Sequence, residues 1–246
     1  MRTVIVIPAR LQSTRLPRKV LLDLGGKPVI QRVYEACAKA KLHSEIWIAA
    51  DSREVMDTCL RFTSNVIMTS ENHPSGTDRI AEVMNTVEAD LVINVQGDEP
   101  FFDAGIIDRL ITAMQQTDAA MASVCSPVVD QAELHNPNLV KVITDVNGYA
   151  IYFSRFAIPF SRDTDVTDVS VYRKHMGIYA YRTTFLKEFI TMPVSFLEAS
   201  EKLEQLRAIE NGYKIKMIEV KSIEKGIDTP EDLELARKKI KDNGTL

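Results

Sequence analysis

Four short apolar runs, Val4–Ile7, Ile46–Ala49, Val66–Met68 and Leu91–Val95, set the strongest limit on how this chain can fold. Each is almost free of polar residues, the pattern of a strand covered on both faces rather than one half-exposed to water. Between them lie Val29–Ala40, Arg53–Arg61 and Asp78–Val87, where apolar residues return at intervals of three and four, the helical period. Strands alternating with helices build βαβ units and a mainly parallel sheet. Right-handed crossovers bring the C-terminal ends of such strands to one edge, and ligands bind beyond that edge. The informative residues are therefore those that follow the strands: Pro8-Ala9-Arg10 after the first, Asp51 after the second, and Gln96-Gly97-Asp98-Glu99-Pro100 after the fourth.

The second half is less regular. Ala119–Ser126, Val140–Thr144, Tyr149–Ser154 and Gly177–Tyr181 read as strands, with Asn147-Gly148 a hairpin turn between two of them. Residues 160–175 are polar and read as a mobile loop. A long helix is expected at Leu197–Asn211, closed by Asn211-Gly212, then a late strand at Lys214–Val220. Thr229-Pro230-Glu231-Asp232 has the form of a helix start: a capping hydroxyl, proline in the first turn, then acids. The expected architecture is α/β, one domain over 1–246 with helices on both faces of a mainly parallel sheet. A smaller, partly antiparallel lobe is expected as an insertion at 125–195.

Composition narrows the partners. A net charge of -4 argues against the broad basic surface of a nucleic-acid binder, so any anion site must be local. The three cysteines are odd in number, far apart and without a CxxC pair, which speaks for reduced thiols rather than a disulfide framework or zinc site. Val4–Ile7 is too short for a signal peptide, and no run approaches the ~18 apolar residues of a membrane span. The expectation is a cytoplasmic protein.

Against that acidic background, the loop Arg10–Lys27 carries Arg10, Arg15, Arg18, Lys19 and Lys27 with only Asp23 opposing them. Forked guanidinium donors, an ammonium, the hydroxyls of Ser13 and Thr14 and a Gly25-Gly26 turn suit a polyphosphate; a solvated basic loop is the other reading. It is not a Walker loop, since GxxxxGK[ST] is absent. Ser75-Gly76-Thr77-Asp78-Arg79 opens a helix and reads either as a plain N-cap or as a close approach to a nucleotide. Asp98 is either a solvated turn residue or a carboxylate for Mg²⁺. Asp228, ahead of the last helix, is the obvious second carboxylate, or a helix-start acid. Nothing in the spacing of Arg155, His175, Tyr179, Glu204 and Gln205 shows that they meet.

Taken together, these segments resemble one family. Ile7-Pro8-Ala9-Arg10-Leu11-Gln12-Ser13-Thr14-Arg15-Leu16-Pro17-Arg18-Lys19 resembles the opening of the 3-deoxy-manno-octulosonate (KDO) cytidylyltransferases, which reads IPAR, two variable residues, then S-[ST]-R-[LF]-P-G-K. Arg18 stands where that family has glycine. The likeness continues through Ser75–Arg79, Asn94–Pro100, Ala150–Arg155, Lys174–Tyr181, Leu203–Arg207 and Ile227–Asp232, in family order.

The resemblance implies a nucleotide-diphospho-sugar transferase fold, usually dimeric through the second lobe. It implies CTP phosphates on Arg10, Ser13, Arg15 and Lys19, with Lys19 and Asp98 catalytic, and cytidine on Ser75, Gly76 and Arg79. It further implies Mg²⁺ on Asp98 and Asp228, and an acidic sugar on Gln96, Arg155, His175, Tyr179, Glu204 and Gln205. The implied reaction joins CTP to KDO for lipopolysaccharide biosynthesis. Two alternatives stay open: the same chemistry on 8-amino-8-deoxy-KDO or a sialic-acid-like sugar, and a non-catalytic nucleotide-sugar sensor. The sensor predicts loss of a metal carboxylate or of the loop lysine, and Asp98, Asp228 and Lys19 are all present.

Overall fold

A computed structural model describes residues 1–13, 15–162, 168–222, 224 and 226–243. The chain divides into two compact units, Met1–Ile111 with Glu224–Leu246, and Thr112–Ile223. The 125–195 segment falls within the second.

The first unit is built as its apolar runs dictate. β1 (Thr3–Ala9), α1 (Val29–Cys37), β2 (Glu45–Ala50), α2 (Arg53–Cys59), β3 (Val66–Met68), α3 (Gly76–Val83) and β4 (Leu91–Asn94) follow in alternation. The strands lie in the order β3-β2-β1-β4, every pair parallel. All seven residues of β1 and all four of β4 are buried, so the central strands are covered on both faces. Ser52 and Ser75 cap α2 and α3 by accepting the backbone N–H three residues on.

One helix not expected from the sequence follows, α4 (Gly105–Gln116), whose Ile106, Ile107, Leu110, Ile111 and Met114 are buried at helical spacing.

In the second unit, β5 (Met121–Pro127) precedes α5 (Gln131–His135), β6 (Lys141–Thr144), β7 (Ala150–Ser154) and β8 (Arg173–Arg182). Then come α6 (Thr183–Phe189), α7 (Phe196–Glu201), α8 (Leu206–Glu210) and β9 (Ile215–Glu219). β5 runs antiparallel to β8 and parallel to β9, and β6 pairs antiparallel with β7 and β8. The expected hairpin turn is present, with Gly148 at φ 75° and the Asp145 carboxylate accepting from the N–H groups of Asn147 and Tyr149.

Two expectations are corrected here. The 160–175 loop is ordered at its C-terminal end: Val169–Val171 forms a 3₁₀ turn and β8 begins at Arg173, while residues 163–167 lie outside the described residues. Val169 and Tyr172 are the reason, since both join Val128 and Leu134 in a small apolar cluster. The long helix expected at Leu197–Asn211 is broken. Lys202 turns left-handed (φ 55°), and Arg155 donates to the end carbonyls of α7, from Nε to Glu201 (2.7 Å) and from Nη2 to Lys202 (3.3 Å). That satisfies the helix end without a continuing turn, and the chain re-aims so that Leu203 and Leu206 are both buried.

α9 (Pro230–Asn243) belongs to the first unit. Its start is held reciprocally: Thr229 Oγ1 accepts from Asp232 N (3.2 Å), and the Asp232 carboxylate accepts from the N–H groups of Asp228 (3.1 Å) and Thr229 (3.0 Å).

Candidate active site

The basic loop is pinned where it leaves β1. Both oxygens of Asp51, at the end of β2, accept from Leu11 N (3.0 and 3.1 Å), and Arg18 N donates back to Leu11 O (3.2 Å). Buried Leu16 and Val20 anchor the loop. Arg10 and Arg15 stay exposed while Lys19 is buried, its ammonium turned inward. Arg18, at the position of the family glycine, adopts φ 59°, ψ 24°, the left-handed conformation that glycine takes at least cost. Its guanidinium meets Glu54, and Lys27 pairs with Glu35, so these two cations of the loop are engaged with helix carboxylates.

Two carboxylates converge on Lys19 from distant parts of the chain. Asp98 meets its ammonium, and Asp228 accepts from it at 2.9 Å and from Arg15 Nη2 at 3.0 Å. The segment carrying Asp228 is tied to the β4 corner by Ile227 N donating to Asp98 O (2.9 Å). Because Asp232 performs the capping of α9, the Asp228 carboxylate is left for the cations. Burial alone would lower the Lys19 pKa, but the charge and hydrogen bonds of Asp98 and Asp228 outweigh it and raise it. Beside them, burial and the charges of Asp98 and Asp228 push the Glu99 carboxyl up to about 8.

Arg15, Lys19, Asp98 and Asp228 line a cleft of about 340 Å³ together with Arg10, Ser13, Gly76 and Gln96. Pro8, Gln12, Val20 and Gly97 complete it; Pro8 and Gly97 were read from sequence as strand-following residues, but none of the four was given a role there. Gly97 is required by close approach: a Cβ there would sit 2.8 Å from the Pro8 carbonyl oxygen. Ser75 does not line the cleft; its hydroxyl accepts from Asp78 N (3.1 Å) and donates to the Asp78 carboxylate (2.5 Å). Arg79 is fully buried and spends Nη1 on Thr69 Oγ1 (2.5 Å), while its Nε and Nη2 are buried without a partner among the described residues. A guanidinium held dry with donors to spare suits a polar ligand group.

The second unit holds the other expected residues. His175 and Tyr179 meet on β8 with ring centroids 5.4 Å apart, and Phe153 packs edge-on to His175 at 5.0 Å. Burial lowers the His175 pKa to about 3, so the ring is neutral. Arg155 is largely a strut: besides the α7 carbonyls it donates from Nη1 to Pro137 O (2.9 Å). Glu204 and Gln205 lie on the α7–α8 turn, and Gln205 Nε2 is buried without a partner among the described residues. Gln96, in the first unit, donates to Asn94 Oδ1 (3.2 Å).

Among the described residues, no cluster of three or more His, Cys, Asp or Glu is poised for a metal, and no helix is long and apolar enough to cross a membrane. The three cysteines are free and buried.

Comparison with known proteins gives this geometry a context. The family described as Cytidylyltransferase matches residues 4–218. A 3-deoxy-manno-octulosonate cytidylyltransferase of Geobacter sulfurreducens is 44% identical over 245 residues, covering 96% of this chain and 98% of its own. One of Chloroherpeton thalassium is 46% identical over 236 residues, covering 95% of each. A CMP:2-keto-3-deoxy-manno-octonic acid synthetase solved in complex with CTP superposes with a TM-score of 0.94 at 41% identity, covering 99% of this chain and all of that one. A 4-diphosphocytidyl-2C-methyl-D-erythritol synthase of Anaerococcus prevotii shares the fold at a TM-score of 0.65 and 15% identity.

Proposed function

We propose that this chain, which belongs to the cytidylyltransferase family and within it to the 3-deoxy-manno-octulosonate cytidylyltransferases, joins CTP to KDO and releases pyrophosphate. The observation that carries this reading is its near-complete likeness to a synthetase solved with CTP. The product, CMP-KDO, is the activated sugar used in lipopolysaccharide biosynthesis.

The anomeric hydroxyl of the sugar attacks the α-phosphorus in line; the new P–O bond forms as the bond to the bridging oxygen of the β-phosphate breaks, and the hydroxyl proton passes to solvent. Arg10, Ser13 and Arg15 are assigned to the phosphates and Gly76 and Arg79 to the cytidine, while Ser75, its hydroxyl engaged in capping α3, shapes the turn that presents Gly76. Lys19 is the group placed to neutralise charge on the bridging and leaving oxygens. Gln96, Arg155, His175, Tyr179, Glu204 and Gln205 are assigned to the sugar. The catalytic contribution is positioning and charge neutralisation, without a covalent enzyme intermediate.

Mg²⁺ fits the donors present. Asp98 and Asp228 are hard oxygen ligands that share one ammonium, and Mg²⁺ in phosphate-transfer sites takes one or two carboxylates plus substrate oxygens. Bound there, it would supply charge neutralisation and Lewis acidity at the α-phosphate. We also place the enzyme in the cytoplasm as a homodimer. The dimer reading is supported by the second unit, where Phe156 and Phe160 are 82% and 87% exposed.

The decisive experiment supplies CTP, Mg²⁺ and KDO and measures pyrophosphate. Release with KDO is expected, and competition with 8-amino-8-deoxy-KDO identifies the preferred acceptor. No release with any acidic sugar would sink the enzymatic reading. A light-scattering mass of one chain across a concentration series would dismiss the dimer.

A further inference from the structure

The β5–β8 ladder contains an irregularity that the reaction scheme does not use. Ser123 faces Tyr179 and Val124 faces Met176, so Gly177 and Ile178 have no counterpart on β5. Ser123 is fully buried at this point. Its Oγ lies 2.8 Å from His175 Nε2, 3.1 Å from Met176 O and 2.8 Å from Ile178 O.

The hydroxyl has one proton for three neighbours, and two of those, the carbonyls, can only accept. If the proton pointed at Nε2, the hydroxyl oxygen would face both carbonyl oxygens at hydrogen-bond distance with no proton between them. If it points at a carbonyl, the hydroxyl oxygen is free to accept from an Nε2–H. The second arrangement removes the oxygen–oxygen conflict and places the imidazole proton on Nε2. In a neutral ring Nδ1 is then a bare acceptor, and among the described residues it meets no hydrogen-bond partner. The apolar edge of Phe153 and the burial of the ring favour the neutral form.

We propose that Ser123 is a positioning residue that holds His175 as its Nε2–H tautomer, so that Nδ1 accepts a hydrogen bond from a hydroxyl of the acceptor sugar and does not hold its carboxylate. The inference rests on the assignment of His175 to the sugar site. A carboxylate is itself only an acceptor and is repelled by a bare ring nitrogen, whereas a polyol hydroxyl donates to it. The sugar's carboxylate therefore falls to a different group, and His175 reads the hydroxylated part of the molecule.

The test combines spectroscopy with kinetics on the full chain. Two-bond ¹H–¹⁵N correlation of histidine-labelled protein, with the His175 signal assigned by its loss in His175→Gln, reads the tautomer directly. Neutral Nε2–H is expected in the native protein and in Ser123→Thr, which keeps the hydroxyl. Ser123→Ala is expected to mix the tautomers and raise KM for KDO about tenfold, with kcat and KM for CTP within about twofold. A native His175 found as Nδ1–H overturns the proposal. So does a Ser123→Ala protein with tautomer and KM unchanged. If His175→Gln leaves KM for KDO unchanged, the sugar-site assignment fails instead, which separates the two claims. Should Ser123→Ala not fold, the native and Ser123→Thr spectra still decide the tautomer.

Discussion

At the residue scale the proposed chemistry rests on Lys19 and its two carboxylates. Asp98 is only partly buried and its removal takes away little packing, but it holds the buried ammonium. Asp98→Asn is expected to lower kcat at least ~100-fold while far-ultraviolet circular dichroism stays native. Full activity in that variant would show the metal assignment to be wrong. One position earlier in the loop than Lys19, Arg18 sits in left-handed backbone that its neighbours impose. Both Arg18→Gly and Arg18→Ala lose the pair with Glu54, so the difference between them isolates the backbone. Gly is expected to be roughly 1 kcal/mol more stable than Ala by urea denaturation, the reverse of the order in a helix interior.

At the element scale, the connections are held by side chains that satisfy carbonyls. Lys141, at the start of β6, is fully buried and, among the described residues, has no carboxylate in hydrogen-bond contact. Its ammonium donates to Asn136 O (3.0 Å), Leu139 O (2.6 Å) and Arg155 O (2.6 Å), clamping the approach to β6 against the end of β7. Lys141→Met keeps the bulk and strands these acceptors, and should cost roughly 2–4 kcal/mol in denaturant unfolding. A neutral result would mean that water replaces the ammonium readily. Such clamps also explain which elements were readable beforehand. β1 and β4 were legible because a strand buried on both faces must be apolar throughout; β3, read from sequence as fully buried, leaves Met68 exposed. The break between α7 and α8 was not legible, since it depends on Arg155, more than forty residues away, reaching the carbonyls of Glu201 and Lys202. α4 is different again, since its apolar period is written in the sequence itself at Ile106, Ile107, Leu110, Ile111 and Met114.

At the scale of the whole molecule, proton linkage offers a test of the half-buried His175. A histidine in the unfolded chain titrates near 6.5, whereas burial holds this one to about 3 in the folded protein. Between those values the unfolded state binds the extra proton, so stability falls as pH drops from 6.5 toward 3 and is unaffected by this group above 6.5. The slope from this single group is at most ~1.4 kcal/mol per pH unit. His175→Gln should remove that share of the acid slope in urea titrations across the range; an unchanged slope would mean the ring is protonated in the folded state.

The sequence by itself determined the alternating α/β plan of the first unit, the placing of a basic loop after β1, and a family likeness detailed enough to nominate each site residue. Those features are local: apolar period, turn chemistry and motif order are written in neighbouring residues. Only the tertiary structure decided that Asp98 and Asp228 share the Lys19 ammonium, that Arg79 lies dry with donors to spare, and that Ser75 is occupied as a cap. It likewise decided that Gly97 is required by the Pro8 carbonyl, that Arg18 occupies left-handed backbone, and that Ser123 stands behind His175. The physical reason is the same in each case. A side chain's charge, spare donors and tautomer are set by what packs against it, and those partners come from segments that no spacing rule connects.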